Sequence, residues 1–395
     1  MQSDILKGLR VVDLTRIVAG PYATRMLADF GAEVIKVQSA RMATGIELNT
    51  APYFCAWNRN KRSITLDLNH SEARDIFLKL VEISDIVVEN YSPRVMSNWG
   101  LDYAVLQKSN EKLIMLSMSG MGQTGPWKDF VAYGPTLQSL GGLTYLTSDS
   151  PDAPVGFGYA YADMVSGLYG TICILAALEH RDRCGQGQYI DLSEYETACT
   201  TIGPALMAAS LTQNRIGPQG DPAENKPAAP YGCYKCSGAD RWCVIAVFSE
   251  NEWQTLCGVL GNPAWSEENK FSSLSDRKKH AEILDRRIGE WTKGQTAENV
   301  VARLQQAGIA AGVVQNAEDL AGDPQLLGHD FFTSLNHPLL GKLKTDTYPI
   351  QFKNCTQAPW KASPLLGEAN QYVFEELLGM TEAAIQSYIE QGIIA

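Results

Sequence analysis

"RVVDLTRIVAGPYATRMLADFGAEVIKV", Arg10 to Val37, sets two short apolar runs on either side of a helix-period segment. Val11, Val12 and Leu14 belong to the first run, and Val34, Ile35 and Val37 to the last. Between them "GPYATRMLADFG" reads as a helix ending at Gly31. The alternation repeats downstream. "SITLDL" reads as a strand, Ser71 to about Glu82 as a helix, "DIVVEN" as a strand, Tyr103 to Ser109 as a helix and "KLIMLSMS" as a strand. Short apolar strands separated by helices are expected to form a mostly parallel sheet covered on both faces, an α/β fold.

A chain of 395 residues can bury two cores. "GQGQYIDLS" reads as a turn and strand, followed by one long helix from Glu194 to about Leu211. Residues 212–230, rich in Gly, Pro, Asn and Gln, read as a linker. Beyond it a smaller α+β domain is expected over 231–325. It opens with the hairpin "YGCYKCSGADRWCVIAVF", turning at "SGAD", and continues with helices near 250–260, 276–291 and 296–307. A second linker is expected over 326–344. Residues 345–395 then return to the large domain of 1–211 and end in a short helix.

The formal charge of −11 argues against a nucleic-acid partner. "MQSDILKGLRVVDLT" has no apolar leader core, and the longest apolar stretch, Met164 to Leu178, is short of a membrane span. Nine cysteines at irregular spacing suit a reducing cytoplasm. "CYKC" has no second pair or histidine cluster at metal spacing, so neither a metal site nor a redox cofactor is expected.

In "FGYAYADMVSGLYGTICILAALEHR", from Phe157, Asp163 is the lone charge at the start of an apolar helix. A carboxylate there reads as an N-cap, held ionised by the free backbone N–H groups and the positive helix end. That does not exclude use as a nucleophile. Met164, Val165, Leu168, Ile172, Leu175, Ala176 and Leu178 are expected to bury the helix.

Ligand-type loops follow several strands, where open α/β sheets bind their ligands. The Gly-Pro turn after the first strand is not a G-x-G-x-x-G fingerprint, and Gln38 stands where an acid would hold a ribose, so a nicotinamide dehydrogenase is poorly supported. "WNRNKRSITLDLN" carries Arg59, Lys61 and Arg62, which are either solvated loop charges or a phosphate clamp. "VVENYSPRVMSNWG" offers Asn90, Tyr91 and Arg94, and "SMSGMGQTGPW" is rich in glycine.

The ordered set "DLTRIVAGPYAT", "LADFGAEVIKV", "NRNKRSITLDL", "DIVVENYSPRVM", "SMSGMGQTGP", "YADMVSGLYGTICILAAL" and "GQGQYIDLS" resembles the class III CoA-transferases, which include the formyl-CoA and carnitine CoA-transferases. "PYGCYKC", "AGIAAGVVQNAEDLAGDPQL" and "PLLGEAN" extend the resemblance over essentially the whole chain. It implies a Rossmann-like large domain, an interlocked dimer (or a heteromer with a related subunit), and coenzyme A in acyl-CoA substrates. It implies Asp163 as the nucleophile, passing through mixed anhydrides and an aspartyl-CoA thioester. Carried over position by position, Ile17, Val18 and Ala19 line the pantetheine path. Lys61, Leu66 and Asn69 lie near the adenine nucleotide, and Asn90 and Tyr91 beside the pantetheine arm. Asn98 stands where the family has a basic residue, with Arg94 as the substitute. The acid's pocket is expected from Tyr133, Phe157, Tyr159 and Tyr161. Val18 replaces a glutamine of the formyl-CoA members, and their glycine-rich active-site loop aligns with "ENKPAAPYG", which favours a larger, more apolar acid. "PVGFGYAYAD", "RVMSNWGLDY" and "RWCVIAVFSENEW" are similar to the benzylsuccinate CoA-transferase branch. That makes an aryl- or alkyl-substituted succinate the first expected acceptor and succinyl-CoA the expected donor. Two readings compete: an α-methylacyl-CoA racemase of the same fold, whose histidine falls on Tyr133 here, and a non-catalytic subunit of a heteromeric CoA-transferase.

Overall fold

The computed structural model describes residues 2–148, 153–212, 227–350, 352–355 and 357–395. Two compact units result, one of Met1–Gln213 with Asp330–Ala395 and one of Asn214–His329. The large unit is built on six parallel strands: β1 (Arg10–Asp13), β2 (Glu33–Gln38), β3 (Arg62–Thr65), β4 (Ile86–Glu89), β5 (Ile114–Ser119) and β6 (Gln188–Ser193). Their order is 3-2-1-4-5-6. That is the doubly wound order, and the chain reverses its winding between β1 and β4.

The helices are α1 (Ala19–Asp29), α2 (Pro52–Trp57), α3 (Ser71–Glu82), α4 (Arg94–Asn98), α5 (Tyr103–Ser109), α6 (Gly134–Leu140), α7 (Leu143–Leu146), α8 (Tyr161–Cys184), α9 (Glu194–Thr200) and α10 (Gly203–Thr212). Alternation along each strand feeds two cores. Val12, Ile35, Val87 and Met115 meet α3 and the C-terminal residues Val373, Phe374 and Ile393. Val11, Val34, Val88 and Leu116 meet Ala23 and Leu27 of α1 and Ile174, Ala177 and Leu178 of α8.

Three expectations change here. The expected single helix from Glu194 is two helices, because Pro204 enters the first turn of α10, where its missing N–H costs nothing, and cannot continue α9. The buried face of α8 is mostly small, Ala162, Ser166, Gly167, Gly170, Thr171 and Ala177 with Ile174 and the expected Leu178, while the expected Leu168, Ile172 and Leu175 are exposed, as is Tyr169. Gly167 has to be glycine, since a Cβ there would meet the Ala19 carbonyl oxygen at 2.8 Å. Close backbone approach of α8 to α1, rather than side-chain bulk, sets this packing. By length and composition α8 would also cross a membrane, but half of its apolar window is buried against the sheet.

The second unit holds a three-stranded antiparallel sheet, β7 (Tyr231–Lys235), β8 (Trp242–Ala246) and β9 (Ala310–Val313), with β8 in the middle. Helices α11 (Glu250–Leu260), α12 (Leu274–Lys279), α13 (Ala281–Thr292) and α14 (Ala297–Gln306) close its core around Trp253, Phe271 and Leu284. Most of the expected linker 212–230 lies outside the described residues. The second expected linker, 326–344, instead carries much of the hairpin β10 (Phe332–His337) and β11 (Gly341–Asp346), and the large unit resumes at Asp330 rather than at 345.

Candidate active site

The carboxyl ends of β1 to β4 enclose a cavity of about 290 Å³, at the reversal of winding where doubly wound sheets bind ligands. Leu14, Thr15, Arg16, Gln38, Glu47, Leu66, Asn69, Tyr91, Val95 and Trp99 are among the residues that line it. Of the expected CoA contacts, Leu66, Asn69 and Tyr91 therefore line this cavity. Asn90 works behind it: its side-chain amide donates to the Arg16 carbonyl at 2.9 Å and accepts from the Arg16 N–H at 2.7 Å.

The loop so held is strained. Ile17 sits at φ +67°, a region that β-branched residues avoid. Its N–H donates to Glu47 Oε1 at 2.7 Å, which together with Asn90 fixes the conformation. Val18 and Ala19 follow, buried, at the start of α1.

Lys61 departs from expectation. Its ammonium donates to Asp13 Oδ2, Thr24 Oγ1, Asn58 Oδ1 and the Pro21 carbonyl, all within 3.1 Å and all buried, so its hydrogen-bonding capacity is used inside the fold. Burial alone would raise the Asp13 carboxyl, but Lys36 and Lys61 hold it down at about 2. Arg59 is likewise internal, paired with Asp29 and Asp346, and Arg62 pairs with Glu33. Arg59 and Lys61 are thus spent on internal partners, while Arg62 is part-exposed beside Glu33. A second groove adjoins the cavity, lined by Leu68, Asn69, His70, Ser71, Arg74, Val95, Asn98 and Trp99. Asn98 is thus at this groove, but Arg94, exposed on α4, lines neither space; the basic side chains in this groove are His70 and Arg74.

Asp163 lies in the first turn of α8 and does not cap it. Ala160 occupies the cap position, no side chain caps the helix, and Asp163 Oδ2 is buried without a hydrogen-bond partner. Burial pushes its carboxyl up to about 6, opposed by its own backbone N–H. The cap expected to be held ionised is therefore a buried carboxyl group whose charged form burial disfavours. Gly167, one turn along α8 from Asp163, packs against Ala19 and Tyr22 at the start of α1, the helix that follows the strained loop. The first residue of α6 is close to the carboxylate, for a Cβ on Gly134 would fall 2.4 Å from Asp163 Oδ2.

Phe157, Tyr159 and Tyr161 form a ring cluster with centroids 5.5 to 6.4 Å apart just before Asp163. Phe157 and Tyr161 pack on Leu137, Ala162 and Ala198. Tyr159 is mostly exposed, and Tyr133, in front of α6, is 66% exposed. The Tyr161 N–H donates to Gln138 Oε1 at 2.9 Å. Sequence reasoning passed over Glu47, Tyr53, Gly134, Ser166 and Glu194. Tyr53 is raised by burial and then by the charges of Asp163 and Glu47, and Glu194 is raised by burial and then by Asp163. "YGPTLQ", a Gly-Pro at a helix start, was the one local signal for any of them. No group of metal-ligating side chains occurs among the described residues.

The model of CoA-transferase family III matches residues 6–370. Among curated proteins, the chain is 33% identical over 98% of its length to "Probable CoA-transferase Rv1866" of Mycobacterium tuberculosis, of which it spans half. It is 32% identical to the succinyl-CoA:mesaconate CoA-transferase of Haloarcula hispanica, covering 94% of this chain and 96% of that one. The solved structure of a CAIB/BAIF family protein from Brucella suis superposes with a TM-score of 0.87 at 30% identity, covering 95% of this chain and all of that one.

Proposed function

This chain belongs to CoA-transferase family III, and from that premise we propose that it moves CoA from succinyl-CoA to a small dicarboxylic acid through covalent intermediates on Asp163. The observation that carries the reading is the buried, unpartnered Asp163 Oδ2, one turn along α8 from the glycine that packs on the start of α1. The nucleotide portion of CoA occupies the cavity and the adjoining groove, with Arg16, His70 and Arg74 facing its phosphates. The pantetheine arm runs past Ile17, Val18 and Ala19 to Asp163.

In the first step an Asp163 oxygen attacks the thioester carbonyl, the C–S bond breaks, and CoA leaves as thiolate. The thiolate attacks the Asp163 carbonyl of the mixed anhydride, expelling succinate and leaving an aspartyl-CoA thioester. The acceptor carboxylate then displaces the thiolate to form a second anhydride. Attack by the thiolate on the acceptor's acyl carbon releases the new acyl-CoA and restores Asp163. Burial favours each step, because the anhydrides hydrolyse in water.

The acceptor is assigned as a dicarboxylate on the strength of the mesaconate enzyme's likeness. An aryl-substituted succinate is the larger alternative, tested in the same assay. The racemase reading lacks its base: Tyr133 stands in that position, and no described histidine lies on α6, α8's first turns or α9. Incubation with succinyl-CoA and quenching in hydroxylamine should convert Asp163 to a hydroxamate, seen by intact mass and mapped by peptide sequencing. α-Deuterium exchange into a 2-methylacyl-CoA without any adduct would overturn the assignment.

We also propose that the working species is a dimer of this chain. The support is the outer face of α8, where Leu168, Tyr169, Leu175 and Ile172 (63% exposed) stand in solvent, with Met207 and Leu211 of α10 similarly bare. Isolated helices do not leave such a face uncovered without cost. Sedimentation equilibrium should give twice the 43.3 kDa chain mass; a monomer at micromolar concentration would refute the dimer.

A further inference from the structure

Glu194 has no part in the steps above, yet it is one of the most enclosed acids in the large unit. It begins α9, directly after Ser193, whose hydroxyl accepts the Glu196 N–H at 3.2 Å. Ser193 pairs with Ser119 across β5 and β6, and the Tyr195 N–H donates to the Gly120 carbonyl at 2.9 Å. The start of α9 is thereby pinned to the carboxyl edge of the sheet, with the Glu194 side chain turned inward at 6% exposure. Leu137 of α6, Ala162 of α8 and Ala198 of α9 belong to one apolar cluster; Asp163 directly follows Ala162, and Glu194 stands one turn before Ala198. Three buried polar atoms of this region, Asp163 Oδ2, Ser166 Oγ and Ser119 Oγ, have no hydrogen-bond partner.

Two acids enclosed together, with no described cation acting on either, cannot both carry charge cheaply. The neighbouring titratable groups do not alter this. Tyr161 is on α8 and Tyr133 precedes α6, and on the α2 side Tyr53 is raised by burial and then by the charges of Asp163 and Glu47. Asp191 of β6 acts on Glu89, and on α9 itself Tyr195 is raised by Cys199 and Glu196. We propose that Glu194 is a positioning residue that keeps its proton at neutral pH, a neutral hydrogen-bond donor beside the Asp163 carboxylate, so that the pair carries one negative charge. The consequence for turnover rests on the reaction proposed above. A single charge lets the anionic CoA thiolate and the acceptor carboxylate approach Asp163, and loss of the second proton closes the site to both. Burial raises both acids, and the Asp163 charge raises Glu194 further, so Asp163 is the first to ionise.

Two measurements test this. Infrared difference spectra at neutral pH should show a protonated-carboxyl carbonyl stretch in the wild type that is lost in Glu194→Gln and kept in Asp163→Asn. Glu89, raised to about 7 by burial, contributes its own band, which cancels in the difference. The rate of Asp163 adduct formation from succinyl-CoA should fall on the alkaline side in the wild type and stay level in Glu194→Gln, with the acid limb unmoved. Glu194→Met gives the same two readouts should the glutamine variant fail to fold. No band assignable to Glu194, or an equal alkaline fall in wild type and variant, overturns the proposal. If no adduct forms in any protein, the reaction assignment fails, and the infrared band alone decides the state of Glu194.

Discussion

Asp163→Asn is expected to abolish adduct formation and lower CoA transfer by at least about 10⁴-fold, the order seen when a covalent nucleophile is removed. The same substitution is expected to stabilise the fold. Burial raises the Asp163 carboxyl from 3.8 to about 6, so the folded state prefers the neutral acid. For an acid raised on folding, the stabilising contribution is complete below the unfolded value and is lost as pH rises through the folded one. Wild type thus forgoes about 3 kcal/mol at pH 8 that asparagine, neutral at every pH, does not. Urea denaturation should find the variant the more stable at pH 8, with the gap narrowing at pH 5 and closing below about pH 4. Equal stability at every pH would mean that the carboxylate is solvated in the folded protein, and the case for a desolvated nucleophile would fail with it.

What could be read ahead of the structure followed from local periodicity. The six parallel strands and helices α1, α3, α5 and α8 came through because each apolar run is short and bounded by turn residues, whereas the short helices α2, α4, α6 and α7 carry too few turns to show a period. Asp163 was found because a lone charge among small and aromatic residues stands out. Its role as a cap was misread because capping depends on where a helix begins, and α8 starts two residues before Asp163. The buried face of α8 was misassigned for a related reason. Leu168 and Ile172 look like core by residue type, but glycine at 167 and 170 lets α8 sit directly on α1 and β5. Lys61 and Arg59 looked like ligand cations because their partners, Asp13, Asp29 and Asp346, are 30 to 287 residues away. Glu194 was invisible for the same cause, since its proximity to Asp163 is made by the pairing of β5 with β6 and the return of α8 over the sheet.

Gly134→Ala should separate the fold from its chemistry. Glycine at the start of α6 is not required by its backbone, for Gly134 is absent from the glycines at positive φ. The added methyl meets Asp163 Oδ2 at 2.4 Å and Ala160 Cβ at 3.0 Å. The nearer of these is the end of a rotatable side chain, so the carboxylate can swing away at small cost. Alanine also recovers up to about 1 kcal/mol of helix propensity. Stability is therefore expected to stay close to wild type, as a thermal melt would read. Activity is not, because displacing a reacting oxygen by about 1 Å costs on the order of 10²-fold. The loss should fall on kcat, with KM for the acyl-CoA little changed, since the cavity at the ends of β1 to β4 does not include Gly134. Wild-type kcat in this variant would mean that the Asp163 carboxylate reacts from some other position than the one α6 now shapes. A loss confined to KM would instead place part of the acyl-CoA against the start of α6.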